Sequence, residues 1–176
     1  MSDRVDNLDS YIRDVPDFPK PGIVFKDITP LLANPRAFNT VLDLMAEHYI
    51  GHGVDVIVGI ESRGFIFGAA LAAKMMASFV PVRKPGKLPA KVDRVEYSLE
   101  YGKDALEMHR DSIAPGAKVL VVDDVIATGG TAAAAIELAQ RQGGEVIGTA
   151  FAIELKFLEG RRRLPEGLEV FAVLAY

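Results

Sequence analysis

Thirteen consecutive residues, Val119 to Thr131, constrain this chain more than any other stretch: Val-Leu-Val-Val-Asp-Asp-Val-Ile-Ala-Thr-Gly-Gly-Thr. The short apolar run predicts a buried strand over Lys118–Val122, the two carboxylates mark its carboxyl end, and a Gly- and Thr-rich turn leads into an Ala-rich helix from about Thr131 to Gln142. A strand, an acidic pair and an anion loop in that order describe a site with its scaffold attached.

Each part has a chemical reason. Gly129 and Gly130 let the backbone of Ala127–Thr131 adopt positive φ and turn successive N–H groups toward one anion. Thr128 and Thr131 add hydroxyl donors, and the following helix points its positive end at the same spot, where a phosphate monoester would sit. Asp123 and Asp124 accept hydrogen bonds from vicinal hydroxyls or hold a divalent cation, so phosphate beside carboxylates indicates a ribose phosphate. A plain strand-to-helix turn would explain either half of the run, but not the whole of it.

With 176 residues the chain is long enough for one well-buried α/β domain and short for two. A single domain over 1–176 is therefore the expectation. The formal net charge of -4 argues against a general nucleic-acid binder. There are no cysteines, which removes thiol nucleophiles, disulfides and Cys-based metal sites. No apolar run approaches the roughly 20 residues needed to span a bilayer, and Met1–Asp9 is polar and acidic, unlike a secretory signal. These features predict a soluble cytoplasmic protein, with neither nucleic acid nor membrane as partner.

Along the chain, Val5, Leu8 and Ile12 recur at helical spacing over Asp3–Ile12, and Asp17-Phe-Pro-Lys-Pro-Gly22 ends that pattern. Ile23–Pro30 is apolar and reads as a packing strand. Asn34 before Pro35 is a helix start, with Phe38, Val41, Leu42, Met45 and Tyr49 on one face to about Ile50. His48 and His52, near that end, read as solvated or dipole-compensating groups. Val54–Ile60 predicts a parallel strand buried on both faces, Phe65 to about Met76 a helix, and Phe79–Val82 another strand. Leu88 to about Ser112 breaks the core pattern and predicts an inserted β-ribbon acting as a lid, with Val95, Tyr97 and Leu99 alternating like an exposed strand. Val146–Leu155 is a further strand, Phe157–Arg163 a short turn with Arg161, Arg162 and Arg163 on a solvated face, and Glu169–Leu174 an edge strand.

Polar residues gather where these strands end. Ser62 and Arg63 follow one strand, and Arg83, Lys84 and Lys87 follow the next. In open α/β sheets ligands bind at that edge. A leaving group bearing several negative charges needs such cations, and the planar fork of arginine grips two oxygens at once. Lys87 taken singly reads equally as a surface charge.

The central run resembles the signature of type I phosphoribosyltransferases, which bind phosphoribosyl pyrophosphate. The resemblance extends in register through Pro16-Asp17-Phe18-Pro19, Pro21–Phe25, Glu61-Ser62-Arg63-Gly64-Phe65, Arg83–Pro89, Tyr97–Lys103 and Ala127–Thr131, and it is with the adenine-specific branch of that family. It implies the family's α/β fold: a mainly parallel sheet flanked by helices, with a hood at about 16–30 and a mobile β-ribbon lid at about 88–112. It implies conversion of adenine and phosphoribosyl pyrophosphate to AMP and pyrophosphate with Mg2+.

Residue by residue, the resemblance assigns the phosphoribosyl group to Asp123, Asp124, Ala127, Thr128, Gly129, Gly130 and Thr131. It assigns pyrophosphate to Ser62, Arg63, Arg83, Lys84 and Lys87, and adenine to Val24, Phe25, Lys26 and Ile126. Tyr101 belongs to the lid. Arg63 and Glu100 carry the catalytic roles, Glu100 against the purine N7. Ala127 stands where the hypoxanthine-guanine enzymes use an aspartate at N7, so an acid must come from elsewhere. No direct metal ligand is assigned, and contact of Asp123 and Asp124 through water is left open, as is whether Glu61–Ser62 is a cis peptide. Arg83 serving a neighbouring subunit's site implies a homodimer. Orotate and xanthine transferases share the central loop and stay as rivals, and a regulatory protein that binds phosphoribosyl pyrophosphate as an effector is the rival of another class.

Overall fold

A computed structural model of the chain describes residues 8–98 and 103–176. Contacts divide the chain into two compact units, Met1–Leu44 and Met45–Tyr176.

In the first unit a 3-10 turn spans Asp9–Tyr11, and Ile12 is already extended. The helix expected over Asp3–Ile12 is thus corrected in its described part, because the chain turns out into strand β1 (Arg13–Pro16). This pairs antiparallel with β2 (Val24–Asp27), from Arg13 opposite Asp27 to Pro16 opposite Val24. The hairpin closes through Asp17, whose Oδ1 accepts the Gly22 N–H at 2.8 Å. Gly22 has φ +87°, a conformation that suits glycine. The Phe18–Pro19 peptide is cis. Phe18 and Phe25 pack edge to face at 5.2 Å, and Lys26 pairs with Asp14 at 2.7 Å. Asp27 accepts from the Thr29 N–H at 2.9 Å and from Arg13 Nε at 3.0 Å; these bonds, the backbone one foremost, hold its carboxyl below the usual aspartate range. Helix α1 (Thr29–Ala33) follows. The Asn34 side chain then accepts the N–H groups of Arg36 and Ala37, both at 3.0 Å, and starts α2 (Pro35–Tyr49) as its sequence predicts.

The second unit is built on a five-stranded sheet. Its strands are β3 (Val56–Ile60), β4 (Ser78–Val82), β7 (Lys118–Ile126), β8 (Glu145–Glu154) and β9 (Glu169–Ala175). Their order is β4-β3-β7-β8-β9, and every neighbouring pair is parallel. Residues of β3 and Val119–Val122 of β7 are buried, as expected for strands covered on both faces. Helix α3 (Arg63–Met75) connects β3 to β4, and α4 (Gly130–Arg141) connects β7 to β8. In α4 the alanines 132, 134, 135 and 139 are buried, which brings the helix axis close to its neighbours. The strand order reverses between β3 and β7, so the loops leaving these two strands diverge from one crevice.

Strands β5 (Val92–Ser98) and β6 (Lys103–His109) form the expected antiparallel ribbon. The exposed alternation expected there is corrected: Val95, Ala105, Leu106 and Met108 are buried in the core shared with α4. Residues 105–108 are all buried, Glu107 among them, so β6 is covered on both faces here, and the charged neighbours of Leu106 and Met108 in the sequence hide it. An isolated bridge between Arg83 and Glu107 joins this ribbon to the end of β4.

The histidines are partly exposed, His48 in the last turn of α2 as expected, and they have partners that the sequence does not show. His48 stacks on Phe171 at 4.2 Å and its Nε2 lies 2.6 Å from Glu169, which is also 3.8 Å from His52. Edge strand β9, far away in sequence, supplies their partners. Beside them Tyr49 donates to the Thr149 carbonyl at 2.9 Å.

Candidate functional site

Strand β7 continues to Ile126, so Asp123 and Asp124 lie within its last turn of pleat and not beyond it. Alternation then sends their carboxylates to different environments. Asp123 Oδ1 accepts the Asp124 N–H at 2.9 Å, and Asp124 Oδ2 sits 2.9 Å from Arg63 Nε as an ion pair, without hydrogen-bond geometry. That oxygen is buried and accepts no hydrogen bond. Desolvation, then the neighbouring Asp124 charge, push the Asp123 carboxyl well above the usual aspartate range. Asp124 is raised as well, chiefly by burial, with the Arg63 charge opposing. Two adjacent carboxylates held in this way suit a cation or hydroxyl donors.

Helix α3 reaches the pair because residue 64 is glycine. A β-carbon there would lie 2.7 Å from Asp123 Oδ1 and 3.0 Å from the Val122 carbonyl. The absent side chain lets the start of α3 rest on β7, and that places Ser62 and Arg63 at the crevice. The Glu61–Ser62 peptide just before it is cis.

Loop Ala127–Thr131 lines a cavity of about 80 Å³, together with Asp123, Val125 and Ile126. Gly129 has φ +79° and Gly130 opens α4, so the loop delivers the helix's N–H groups to the cavity. Thr128 and Thr131 are half-buried at its rim, whereas Ile126 is buried beneath it.

The loop is braced from behind by Gly160, in a further 3-10 turn, Gly160–Arg163. A β-carbon on Gly160 would overlap the Ala127 carbonyl oxygen and lie 3.0 Å from the Gly129 nitrogen. Gly160 escaped the sequence reading because it borders three arginines, which read as surface. The solvated-face expectation for those arginines is corrected at Arg161, which grips the buried Glu154 with two bonds of 2.7 and 2.6 Å.

The basic arm after β4 is paired inside the protein. Glu61 accepts Arg83 Nε at 3.2 Å, the Lys84 N–H at 2.9 Å and the Lys87 ammonium. Burial alone would raise its carboxyl, but these donors outweigh it and hold Glu61 below the usual glutamate range. The Lys84 ammonium turns to Asp104 and to the Tyr97 hydroxyl at 3.0 Å, while the buried Glu107 accepts the Gly86 N–H at 2.9 Å. Glu61, Asp104 and Glu107 were not legible as partners, since each stands twenty or so residues from the donor it accepts.

Of the other residues assigned by resemblance, Val24, Phe25 and Lys26 form β2 of the first unit. Glu100 and Tyr101 lie outside the described residues. Among the described residues, no cluster of three or more His, Asp or Glu side chains could cage a metal ion. Also among them, no helix is long and apolar enough to cross a membrane.

A phosphate-sized cavity at a helix start, with an acidic pair beside it at the reversal point of a parallel sheet, defines a protein that handles ribose phosphates. Comparison with known proteins is specific. Residues 27–166 match the model of the phosphoribosyl transferase domain family. The adenine phosphoribosyltransferase of Sorangium cellulosum (strain So ce56) is 67% identical over 159 residues, covering 90% of this chain and 80% of that protein. The crystal structure of adenine phosphoribosyltransferase from Rhodothermus marinus DSM 4252 superposes with TM-score 0.96 at 52% identity, covering both chains fully (100%). The Saccharomyces cerevisiae adenine phosphoribosyltransferase, complexed with an imino-altritol bisphosphate and adenine, superposes with TM-score 0.92 at 40% identity, covering 98% of this chain and 99% of that one. The chain belongs to the phosphoribosyltransferase family, in its adenine phosphoribosyltransferase branch.

Proposed function

We propose that this chain transfers the 5-phosphoribosyl group of phosphoribosyl pyrophosphate to N9 of adenine, giving AMP and pyrophosphate. The observation that carries the reading is the glycine-braced loop Ala127–Thr131 closing a cavity beside Asp123 and Asp124, in a chain 67% identical to an adenine phosphoribosyltransferase. The loop's N–H groups and Thr128 and Thr131 hold the 5'-phosphate. Asp123 and Asp124 accept from the ribose hydroxyls. As the C1'–oxygen bond to pyrophosphate breaks, positive charge grows on the ribose and is offset by this acidic pair. Negative charge grows on the leaving group and meets Ser62, Arg63 and the arm Arg83, Lys84 and Lys87.

Adenine specificity is assigned to Val24, Phe25, Lys26 and Ile126. Glu100 is the acid for the purine N7, with Tyr101 beside it in sequence. Ala127 cannot serve N7, having no polar atom.

Mg2+ suits the site: once ionised, Asp123 and Asp124, whose buried Oδ2 accepts no hydrogen bond, would meet the ion's waters with hard carboxylate oxygens, and this ion commonly keeps several waters and binds substrate phosphates. It supplies charge neutralisation to the pyrophosphate when bound. The protein acts as a homodimer in the cytoplasm, and the two units function as one catalytic domain. The test is AMP formation from adenine and phosphoribosyl pyrophosphate, with hypoxanthine, guanine, xanthine and orotate as controls. Absence of AMP, or faster turnover of another base, overturns it.

A further inference from the structure

Three donors from one short arm converge on the Glu61 carboxylate: Arg83 Nε, the Lys84 N–H and the Lys87 ammonium. A main-chain N–H and two cations meeting at one pair of oxygens is the arrangement with which proteins bind a phosphate. Here the anion is the protein's own. The Glu61 side chain is only 10% exposed, whereas Arg83 and Lys87 are 34% and 48% exposed, so the cations open to solvent while the carboxylate plugs them from inside.

The surroundings make the arm electrostatically closed. Two carboxylates meet its cations, Glu61 on Arg83 and Lys87 and Asp104 on Lys84, while a third, Glu107, takes the Gly86 N–H. Glu107 holds the Gly86 N–H and Asp104 holds Lys84, both from strand β6, where Asp104 pairs with Tyr97 and Glu107 with Arg94. Glu61 belongs to the loop that carries Ser62 and Arg63 into the crevice. An incoming polyanion meets an arm whose cations already have partners, and it binds only by taking the donors from one carboxylate. Glu61 is that carboxylate, because it alone holds both side-chain cations left for a ligand once Lys84 is tied to Asp104.

We propose that Glu61 is the internal occupant of an anion site formed by Arg83, the Lys84 N–H and Lys87, and that a pyrophosphate oxygen displaces it. This rests on the proposed phosphoribosyl transfer and adds a positioning residue to it. In the resting protein Glu61 keeps the arm folded and its cations oriented; in the complex it is a competitor whose charge weakens product binding and so speeds pyrophosphate release.

The test uses the full-length protein and magnesium pyrophosphate as the probe, by titration calorimetry. Glu61→Gln keeps the shape and removes the charge, so it binds pyrophosphate about tenfold tighter, the worth of one charge-assisted bond no longer in competition. Unchanged or weaker binding by Glu61→Gln overturns the proposal, since a carboxylate that merely braces the arm would lose affinity on removal. Absence of pyrophosphate binding in both proteins overturns it as well. Lys87→Met should weaken binding in either background, and more in Glu61→Gln, where the ammonium is free of its rival. If Glu61→Gln fails to fold, a crystal structure of the natural protein with pyrophosphate decides. Glu61 must then have left Arg83 and Lys87, and three intact bonds to Glu61 refute displacement. AMP formation by the natural protein, measured alongside, separates failure of this proposal from failure of the phosphoribosyl transfer reading.

Discussion

Gly129 and Gly160 meet with no room for a side chain between them: a β-carbon on Gly160 would stand 3.0 Å from the Gly129 nitrogen, and one on Gly129 would overlap the Gly160 carbonyl. The Ala127–Thr131 loop is therefore shaped from two sides, by its own positive φ at Gly129 and by a backbone about thirty residues further on.

Gly160→Ala should push the Ala127–Thr131 loop out of place without adding any group near a ligand. The expected result is a KM for phosphoribosyl pyrophosphate raised about tenfold or more, and a stability loss of about 1–3 kcal/mol from overpacking. Steady-state kinetics and urea unfolding check both. Unaltered KM would mean that the brace does not shape the loop.

Asp123 predicts a conflict between stability and binding. Its folded pKa is raised, so its contribution to folding is fully present below the ordinary aspartate range and is lost as pH rises through the folded value. Above that value the ionised pair costs stability in the unliganded protein. Asp123→Asn, whose Oδ1 can still accept the Asp124 N–H, should raise neutral-pH stability by about 0.5–2 kcal/mol and flatten its dependence on acid pH, while weakening phosphoribosyl pyrophosphate binding. Thermal unfolding at acid and neutral pH, with and without substrate, is the measurement. A variant less stable than the natural protein at neutral pH contradicts this account.

Glu100→Gln keeps the size of the side chain and removes its acid. Turnover should fall by about a hundredfold or more, with phosphoribosyl pyrophosphate affinity nearly unchanged. Single-turnover AMP formation and equilibrium binding separate the two effects. Turnover close to normal removes Glu100 from the mechanism.

Away from the crevice, Gly148 leaves space for the buried Tyr49 ring: a β-carbon there would lie 2.6 Å from the phenol oxygen. Gly148→Ala should cost about 1–3 kcal/mol, and Tyr49→Phe about 1 kcal/mol by leaving the Thr149 carbonyl short of its donor. Neither should move KM. Denaturant midpoints and kinetics check this, and a changed KM would tie the α2–β8 packing to the site.

Much of the fold is legible in the sequence because its signals are local. Val56–Ile60 and Val119–Val122 read as doubly covered strands from unbroken apolar runs, and Asn34-Pro35 starts a helix by capping chemistry contained within four residues. The loop Ala127–Thr131 is legible for the same reason, since its glycines, threonines and following helix are contiguous. By itself, then, the sequence determined the strand-loop-helix unit proposed to receive a phosphate and the acidic pair beside it.

Tertiary structure decided what faces that unit. Glu61 against Arg83 and Lys87, Asp104 against Lys84, Arg63 against Asp124 and Gly160 behind Gly129 join residues separated by twenty to sixty positions. No local period encodes such pairs. A charge followed along the chain looks solvated until sheet order brings its partner to it, and a glycine looks like a turn until another backbone takes the space its side chain would have filled.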